Sequence, residues 1–255
     1  MLDTTALELV AGRRTLVEGL DWHVAAGQCW CIIGQNGAGK STLLRTLAGL
    51  ATPHAGTVAI GGRALADWSL TALARQRAFL PQSRTDAFGY RVLDTVLAAR
   101  QPYHDGRYWE GSADHIAARK ALAALDVAAL AERDIRSLSG GERQRVGIAA
   151  LLAQDTPLML LDEPANALDL GHQVAVMNLL AQRCRSDGRT VVMVSHDLNL
   201  AHGSASHALL LMPGGAWQAG PVAAMLQPDL LAQCLGHPIE LVAHRGSTIF
   251  VPIRQ

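Results

Sequence analysis

The run Gly34-Gln35-Asn36-Gly37-Ala38-Gly39-Lys40-Ser41-Thr42 puts three glycines, a lysine and two hydroxyls into nine residues. Glycines let backbone N–H groups wrap a phosphate chain, and a helix opening directly behind them adds a favourable dipole. Lys40 can reach the β- and γ-phosphates of a nucleotide, and the Ser41 hydroxyl can ligate Mg²⁺. A glycine turn capped by a serine is the plainer alternative. The flanks favour a phosphate loop, because an apolar strand, Cys29–Ile33, precedes it and an apolar helix from Ser41 to about Leu50 follows. Further on, Leu158-Met159-Leu160-Leu161-Asp162-Glu163-Pro164 is an apolar strand ending in two adjacent carboxylates. Open parallel sheets bind ligands at the C-terminal ends of their strands. Asp162 can hold Mg²⁺ there, directly or through water, and Glu163 can polarise an attacking water. Between them lies Leu138-Ser139-Gly140-Gly141-Glu142-Arg143-Gln144-Arg145-Val146, a Ser-Gly-Gly turn opening a polar helix. By itself it reads either as a second phosphate contact or as an ordinary helix cap.

The elements that must carry these residues follow from the apolar pattern. Up to about residue 66 the chain reads as short strands, Ala6–Val10, Leu20–Val24, Cys29–Ile33 and Thr57–Ile60, interrupted by the helix after the phosphate loop. Residues 83–136 hold alanine-rich helical stretches, Asp94–Arg100 and Ala113–Leu125, around a turn-like Gln101–Gly111. Beyond them, helices alternate with the continuous apolar runs Leu158–Leu161 and Val191–Val194, the pattern of a parallel sheet covered on both faces. This is an α/β core with a helical insertion, followed by a tail from 221 to 255 with no assignable pattern. With 22 basic and 22 acidic side chains the 255-residue chain is neutral, which argues against a general nucleic-acid partner. The uncharged stretch Ala208–Pro228 is broken by Pro213-Gly214-Gly215 and Gly220-Pro221 and reads as strand, turn, strand, turn rather than a membrane span. The N-terminus has no signal-peptide pattern. Cys29, Cys31, Cys184 and Cys234 lack metal-site spacing and read as free thiols of a reducing cytoplasm. Only Lys40 and Lys120 are lysines, against twenty arginines.

Taken in order, the three motifs closely resemble those of ATP-binding-cassette (ABC) ATPases, with Ser139–Glu142 as the family's signature turn. The likeness extends over the whole chain. Phe79-Leu80-Pro81-Gln82 is similar to the Q-loop, Ala167-Leu168-Asp169 to the D-loop, and Val194-Ser195-His196-Asp197 to the switch-histidine segment. The resemblance implies a P-loop NTPase core with an antiparallel β subdomain and an inserted α-helical subdomain. It sets a single domain over 1–255, with 1–82 and 156–220 as core plus β subdomain, 83–155 as helical subdomain with the signature, and 221–255 as tail. It implies ATP and Mg²⁺ as ligands. ATP would be held by Gly34, Gln35, Asn36, Gly37, Ala38, Gly39, Lys40, Ser41 and Thr42, and in trans by Ser139, Gly140, Gly141 and Glu142. The metal would be held by Ser41, Gln82 and Asp162, and catalysis carried by Glu163, His196 and Gln82. Many relatives stack an aromatic residue on adenine shortly after the first strand; here Val10-Ala11-Gly12-Arg13-Arg14 offers only the guanidinium planes of Arg13 or Arg14.

The resemblance also implies a head-to-tail homodimer, integral membrane permease subunits as partners, a periplasmic substrate-binding protein acting indirectly, and no nucleic acid. The chain would sit peripherally on the cytoplasmic face of the inner membrane. Residues 83–110 would meet the permease, with Phe88, Tyr90, Tyr103 and Trp109 either as contacts or as packing inside the insertion. Ala99-Arg100-Gln101-Pro102-Tyr103-His104 and Ser195–Ala201 are similar to strings of importers for iron–siderophore, haem and cobalamin. Trp109-Glu110-Gly111 with Leu130–Asp134 leans toward cobalamin. The alternative is an ABC ATPase acting on DNA, ribosomes or cofactor assembly. About a hundred residues between Lys40 and Ser139 leave no room for the long coiled coils of DNA-repair members.

Overall fold

The computed structural model describes residues 1–83, 88–104 and 110–253. Two strands open the chain, Leu2–Ala11 (β1) and Arg14–Val24 (β2), followed by Cys29–Gly34 (β3) and the helix Lys40–Leu47 (α1). Ala55–Ile60 (β4), Arg63–Ala64 (β5), Leu70–Gln76 (α2) and Arg77–Leu80 (β6) complete the first part. The middle is helical: Val92–Leu97 (α3), a 3-10 stretch Ala98–Tyr103, Ser112–Ala124 (α4) and Gly140–Ala153 (α5). Then come Leu158–Asp162 (β7), Leu170–Asp187 (α6), Thr190–Val194 (β8), Leu198–Ser204 (α7), His207–Leu211 (β9) and Trp217–Pro221 (β10). The chain closes with Val222–Met225 (α8), Pro228–Leu235 (α9) and the hairpin Ile239–His244 (β11) and Ser247–Pro252 (β12).

The sequence pattern does not reveal α2 and β6, and the tail, expected without a pattern, forms two helices and a hairpin. Gly220-Pro221, expected as a turn, instead ends β10, and α8 starts directly after it. The sheet is mixed rather than purely parallel. Its order is β10-β9-β3-β8-β7-β6, with β10 antiparallel at the edge, while a second, antiparallel sheet runs β2-β1-β4-β5.

Strands β3, β7, β8 and β9 are apolar without interruption because both faces are buried. Side chains alternate across a strand, so each strand feeds two cores. Cys31, Ile33, Met159, Leu161, Met193 and Leu210 join the helices on one side. Trp30, Ile32, Leu160, Val192 and Leu209 join β1, β2 and the Leu43, Leu44 and Leu47 stripe of α1 on the other. Each fully buried side chain of this size contributes about 1.5–3 kcal/mol. All four cysteines are free and buried. Among the described residues no helix is long and apolar enough to cross a membrane.

The helical insertion is held together by a polar knot. Arg100 Nε donates to Asp114 Oδ1 at 3.0 Å and its Nη1 to the Ala153 carbonyl at 2.9 Å. Its guanidinium lies 4.2 Å from the Tyr103 ring centroid, and Arg75 approaches the same ring at 5.5 Å. Tyr103 therefore packs inside the insertion and is removed from the set of candidate surface contacts. Phe88 and Tyr90 remain, exposed by 68% and 59%, and Trp109 lies outside the described residues. Burial works upward on the Asp114 pKa, but the Gly111 N–H and Arg100 outweigh it and hold the carboxyl below its ordinary value. Asp114→Ala should lower unfolding free energy by about 2–3 kcal/mol at neutral pH, the worth of hydrogen bonds to a charged group. A depressed folded pKa contributes stability above the unfolded value and loses it as pH falls. The gap between parent and variant in denaturant titrations should therefore narrow below about pH 4.

Candidate phosphate-binding and catalytic site

Parallel pairing brings the chemistry to one edge of the six-stranded sheet. β3 pairs with β8 through Ile32↔Val194, β7 with β8 through Asp162↔Val194, and β6 with β7 through Leu80↔Leu161. Gly34, Asp162, Glu163 and His196 therefore emerge at the C-terminal end of the strands, and Gln82 lies two residues past β6 at that end.

The loop between β3 and α1 is shaped by Gly39, which has φ +98° and sits so close to β2 that a methyl there would stand 2.8 Å from Leu16 Cβ. No other residue type fits both constraints. α1 starts without a side-chain cap and without an acidic residue in its first turn, leaving its first N–H groups and positive dipole end for an anion. Lys40 is 6% exposed, and its ammonium donates to the carbonyls of Gly34 at 2.8 Å and Gln35 at 2.9 Å. Burial lowers its pKa, opposed by the nearby carboxylates of Glu163 and Asp162.

Asp162 ends β7, 3% exposed. Burial raises its pKa, and a hydrogen bond from Ser41 acts against the rise. Its Oδ1 is buried with no hydrogen-bond partner, an orphaned acceptor beside a hydroxyl. That hard-oxygen pair fits Mg²⁺, which takes a few protein oxygens and completes its shell with phosphate and water. Gln82 is exposed, and among the described residues no hydrogen bond joins it to the pair.

Glu163 follows with φ +53°, a conformation unusual for a side chain with Cβ and characteristic of strained functional positions. Its Oε1 lies 2.8 Å from His196 Nε2, and its Oε2 accepts from Asn166 Nδ2 at 3.3 Å. Gln144 Nε2 donates to the Glu163 and Pro164 carbonyls at 3.4 and 3.1 Å. A carboxylate thus faces a cavity of about 210 Å³ bordered by Asn166, Gln173, Ser195 and His196. This arrangement can hold a water, accept its proton on Glu163 and orient the acceptor with His196. Sequence reasoning did not find Asn166 or Gln144. Asn166 had a local cue, an amide three residues beyond the carboxylate.

The signature turn behaves differently. Ser139 caps α5: its hydroxyl accepts from the Glu142 N–H at 3.2 Å, and Glu142 Oε2 accepts from the Ser139 N–H at 2.8 Å. This reciprocal capping box, led by the Ser139 N–H, lowers the Glu142 pKa. Among the described residues no hydrogen bond joins Ser139, Gly140, Gly141 or Glu142 to the phosphate loop of the same chain. The turn packs instead on the loop after Glu163, where a methyl on Gly141 would stand 3.0 Å from the Ala167 carbonyl. In the Arg13-Arg14 pair, Arg14 reaches the phosphate loop, its Nη1 3.6 Å from where a Gly37 Cβ would stand.

Comparison with known proteins gives consistent results. Residues 17–166 match the family described as ABC transporter. A hemin import ATP-binding protein of Nocardia farcinica is 45% identical over 243 residues, covering 94% of this chain and 83% of the relative. Among solved structures, a chain of a metal-chelate type ABC transporter in an inward-facing conformation superposes with a TM-score of 0.86 at 31% identity, covering 100% of this chain and 98% of the other. A dimeric ATP-binding cassette in a post-hydrolysis state with ADP and Pi superposes with a TM-score of 0.75 at 25% identity, covering 87% and 99%.

Lys40→Ala removes the ammonium and leaves the Leu43, Leu44 and Leu47 stripe of α1 in place. Nucleotide affinity, read by a fluorescent-nucleotide titration, should fall by about tenfold or more, as expected for charge-assisted bonds of roughly 1.5–3 kcal/mol. An isotherm matching the parent would remove Lys40 from the phosphate site.

Proposed function

Because this chain belongs to the ABC transporter family, as an ATP-binding subunit that hydrolyses ATP, we propose that it energises an importer of a metal chelate, with haem the favoured cargo. The observation that carries the catalytic part is the Glu163–His196 pair, 2.8 Å apart, at the same strand edge as buried Lys40 and Asp162. The cargo reading rests on the hemin relative, which matches along 94% of this chain, and on the metal-chelate transporter. It ranks above the cobalamin-type reading, which rests on the short strings Trp109-Glu110-Gly111 and Leu130–Asp134.

In this reading the N–H groups from Gly37 to Thr42 cradle the triphosphate and Lys40 leaves the loop carbonyls for phosphate oxygens. Ser41, Asp162 and Gln82 would hold Mg²⁺, which supplies charge neutralisation on the phosphates. Glu163 accepts the proton of the attacking water, and His196 orients Glu163 and faces the γ-phosphate. Neither Ser139 nor Gly141 turns toward its own phosphate loop, which supports a head-to-tail homodimer in which each signature turn completes the partner's site. Loss of the γ-phosphate contacts would then loosen the pair. Exposed Phe88 and Tyr90, whose ring centroids are 6.0 Å apart, form the side of the helical insertion offered to a permease. The domain reading divides the chain into core, helical insertion at 83–155 and tail. The subunit would lie peripherally on the cytoplasmic face of the inner membrane, with a periplasmic binding protein acting through the permease.

Glu163→Gln should bind ATP with parental affinity while turnover falls by about a hundredfold or more, the scale of a lost general base. On size exclusion with ATP it should run as a stable dimer. Near-parental turnover would exclude Glu163 as the base. For the import reading, the subunit should co-purify with an integral membrane partner encoded beside it, and haem-loaded binding protein should raise ATPase activity of the reconstituted complex. Isolation with ribosomes and no membrane partner would refute it.

A further inference from the structure

The last 25 or so residues have no part in the chemistry above, yet they touch it at two places. Helix α9 is anchored by Leu231 and Cys234, both fully buried, the Cys234 thiol lying 3.5 Å from the Leu211 carbonyl. Gly236 ends that helix against the phosphate loop, where a methyl would stand 2.6 Å from Gln35 Nε2. The β11–β12 hairpin then crosses to α7. Two strands alone are marginal in water, and so is a seven-residue helix, so each needs the other. Their junction is specific. Asn199 Oδ1 accepts from the Phe250 N–H at 2.9 Å, and Asn199 Nδ2 donates to the Phe250 carbonyl at 3.4 Å, so one side-chain amide pairs with both backbone groups of one strand residue. The Phe250 ring, 6% exposed, also meets His202 with centroids 5.3 Å apart.

Asn199 is in the first turn of α7. Its own N–H and that of Leu200 donate to Asp197 Oδ1 at 2.8 and 2.9 Å, and Asp197 is the residue after His196. The backbone that aims His196 at Glu163 is thus held from one side by β8 and from the other by a helix start pinned to the hairpin. Between hairpin and helix start lies a cleft of about 550 Å³ bordered by His196, Leu198, Leu235, His237 and Phe250. Tight packing does not reach His196 from this side, and the amide clamp does the holding.

We propose that Asn199 is a positioning residue for hydrolysis, through which the C-terminal hairpin holds His196 in register with Glu163. This rests on the catalytic reading of Glu163 and His196. It concerns the orientation of the pair and not phosphate binding, so it separates turnover from affinity. The full-length chain would be compared with Asn199→Ala and Asn199→Asp in steady-state ATPase assays, with nucleotide titration and thermal melting alongside. Asn199→Ala should lower kcat by about tenfold, with KM within about twofold, since sub-ångström misplacement of a catalytic group acts on turnover. Asn199→Asp keeps an acceptor for the Phe250 N–H and loses the donor, so its kcat should lie between parent and alanine variant. Unchanged kcat in Asn199→Ala, or a kcat loss matched by a rise in KM and a lower melting temperature, would overturn the proposal. If the alanine variant fails to fold, the aspartate variant decides: a lowered kcat with nucleotide affinity and melting temperature unchanged supports the clamp, and a parental kcat, or a kcat loss accompanied by weakened nucleotide binding, overturns it. Glu163→Gln run in parallel separates the two readings. Normal turnover there removes the catalytic assignment itself, whereas an inactive Glu163→Gln with an unaffected Asn199→Ala removes only the clamp.

Discussion

An ammonium group taken out of water costs several kcal/mol unless oxygens replace its hydration. Lys40 meets that requirement with two loop carbonyls and the field of two carboxylates. The carbonyls must be aimed inward, which bends the loop into the left-handed geometry at Gly39 and presses it on Leu16 of β2. The carboxylates must stand at the end of a parallel strand nearby, which is β7, one strand removed from β3 across β8. Once these conditions hold, a polyanion is the ligand that releases the lysine from its own backbone. The cost of burying the cation without phosphate is met by contacts that phosphate can replace one for one.

The sheet that sets this register is shared between two cores, so its position is determined from both faces. Alternate residues of β3, β7, β8 and β9 are committed to the helical side or to the antiparallel sheet. A shift by one residue would exchange the two sets on every strand, and neither core would accept the other's volumes. That double packing fixes the ends of β7 and β8, the adjacent strands behind Glu163 and His196.

How legible each part was in the residues depended on the range of its causes. The phosphate loop, the Asp162-Glu163 strand end and the turn at Ser139 could be read because their physics is local: glycine freedom, a continuous apolar run, a capping hydroxyl. β6 was hidden because Arg77–Leu80 follows α2 with no glycine or proline between them. The terminal hairpin was hidden because its turn uses Arg245 and Gly246, both at positive φ (49° and 78°), where asparagine or aspartate before glycine is the usual cue. The free-thiol reading of the cysteines agrees with the structure. The choice among aromatic contacts needed tertiary information: Tyr103 is claimed by Arg75 and Arg100, while Phe88 and Tyr90 stay outside. The Asn199–Phe250 pair spans 51 residues and has no local signal at all.

One contact within the catalytic loop reaches further than its size implies. Gln144 lies one turn into α5, the helix that begins at Ser139, and its amide is bonded to the backbone of the residue proposed as the base. Anything that moves the start of that helix therefore moves Glu163, which already sits in a conformation with little freedom to absorb the displacement. If two copies meet with the start of α5 of each against the other's nucleotide, whatever binds at one pocket is felt at the second. Linkage makes the effect mutual.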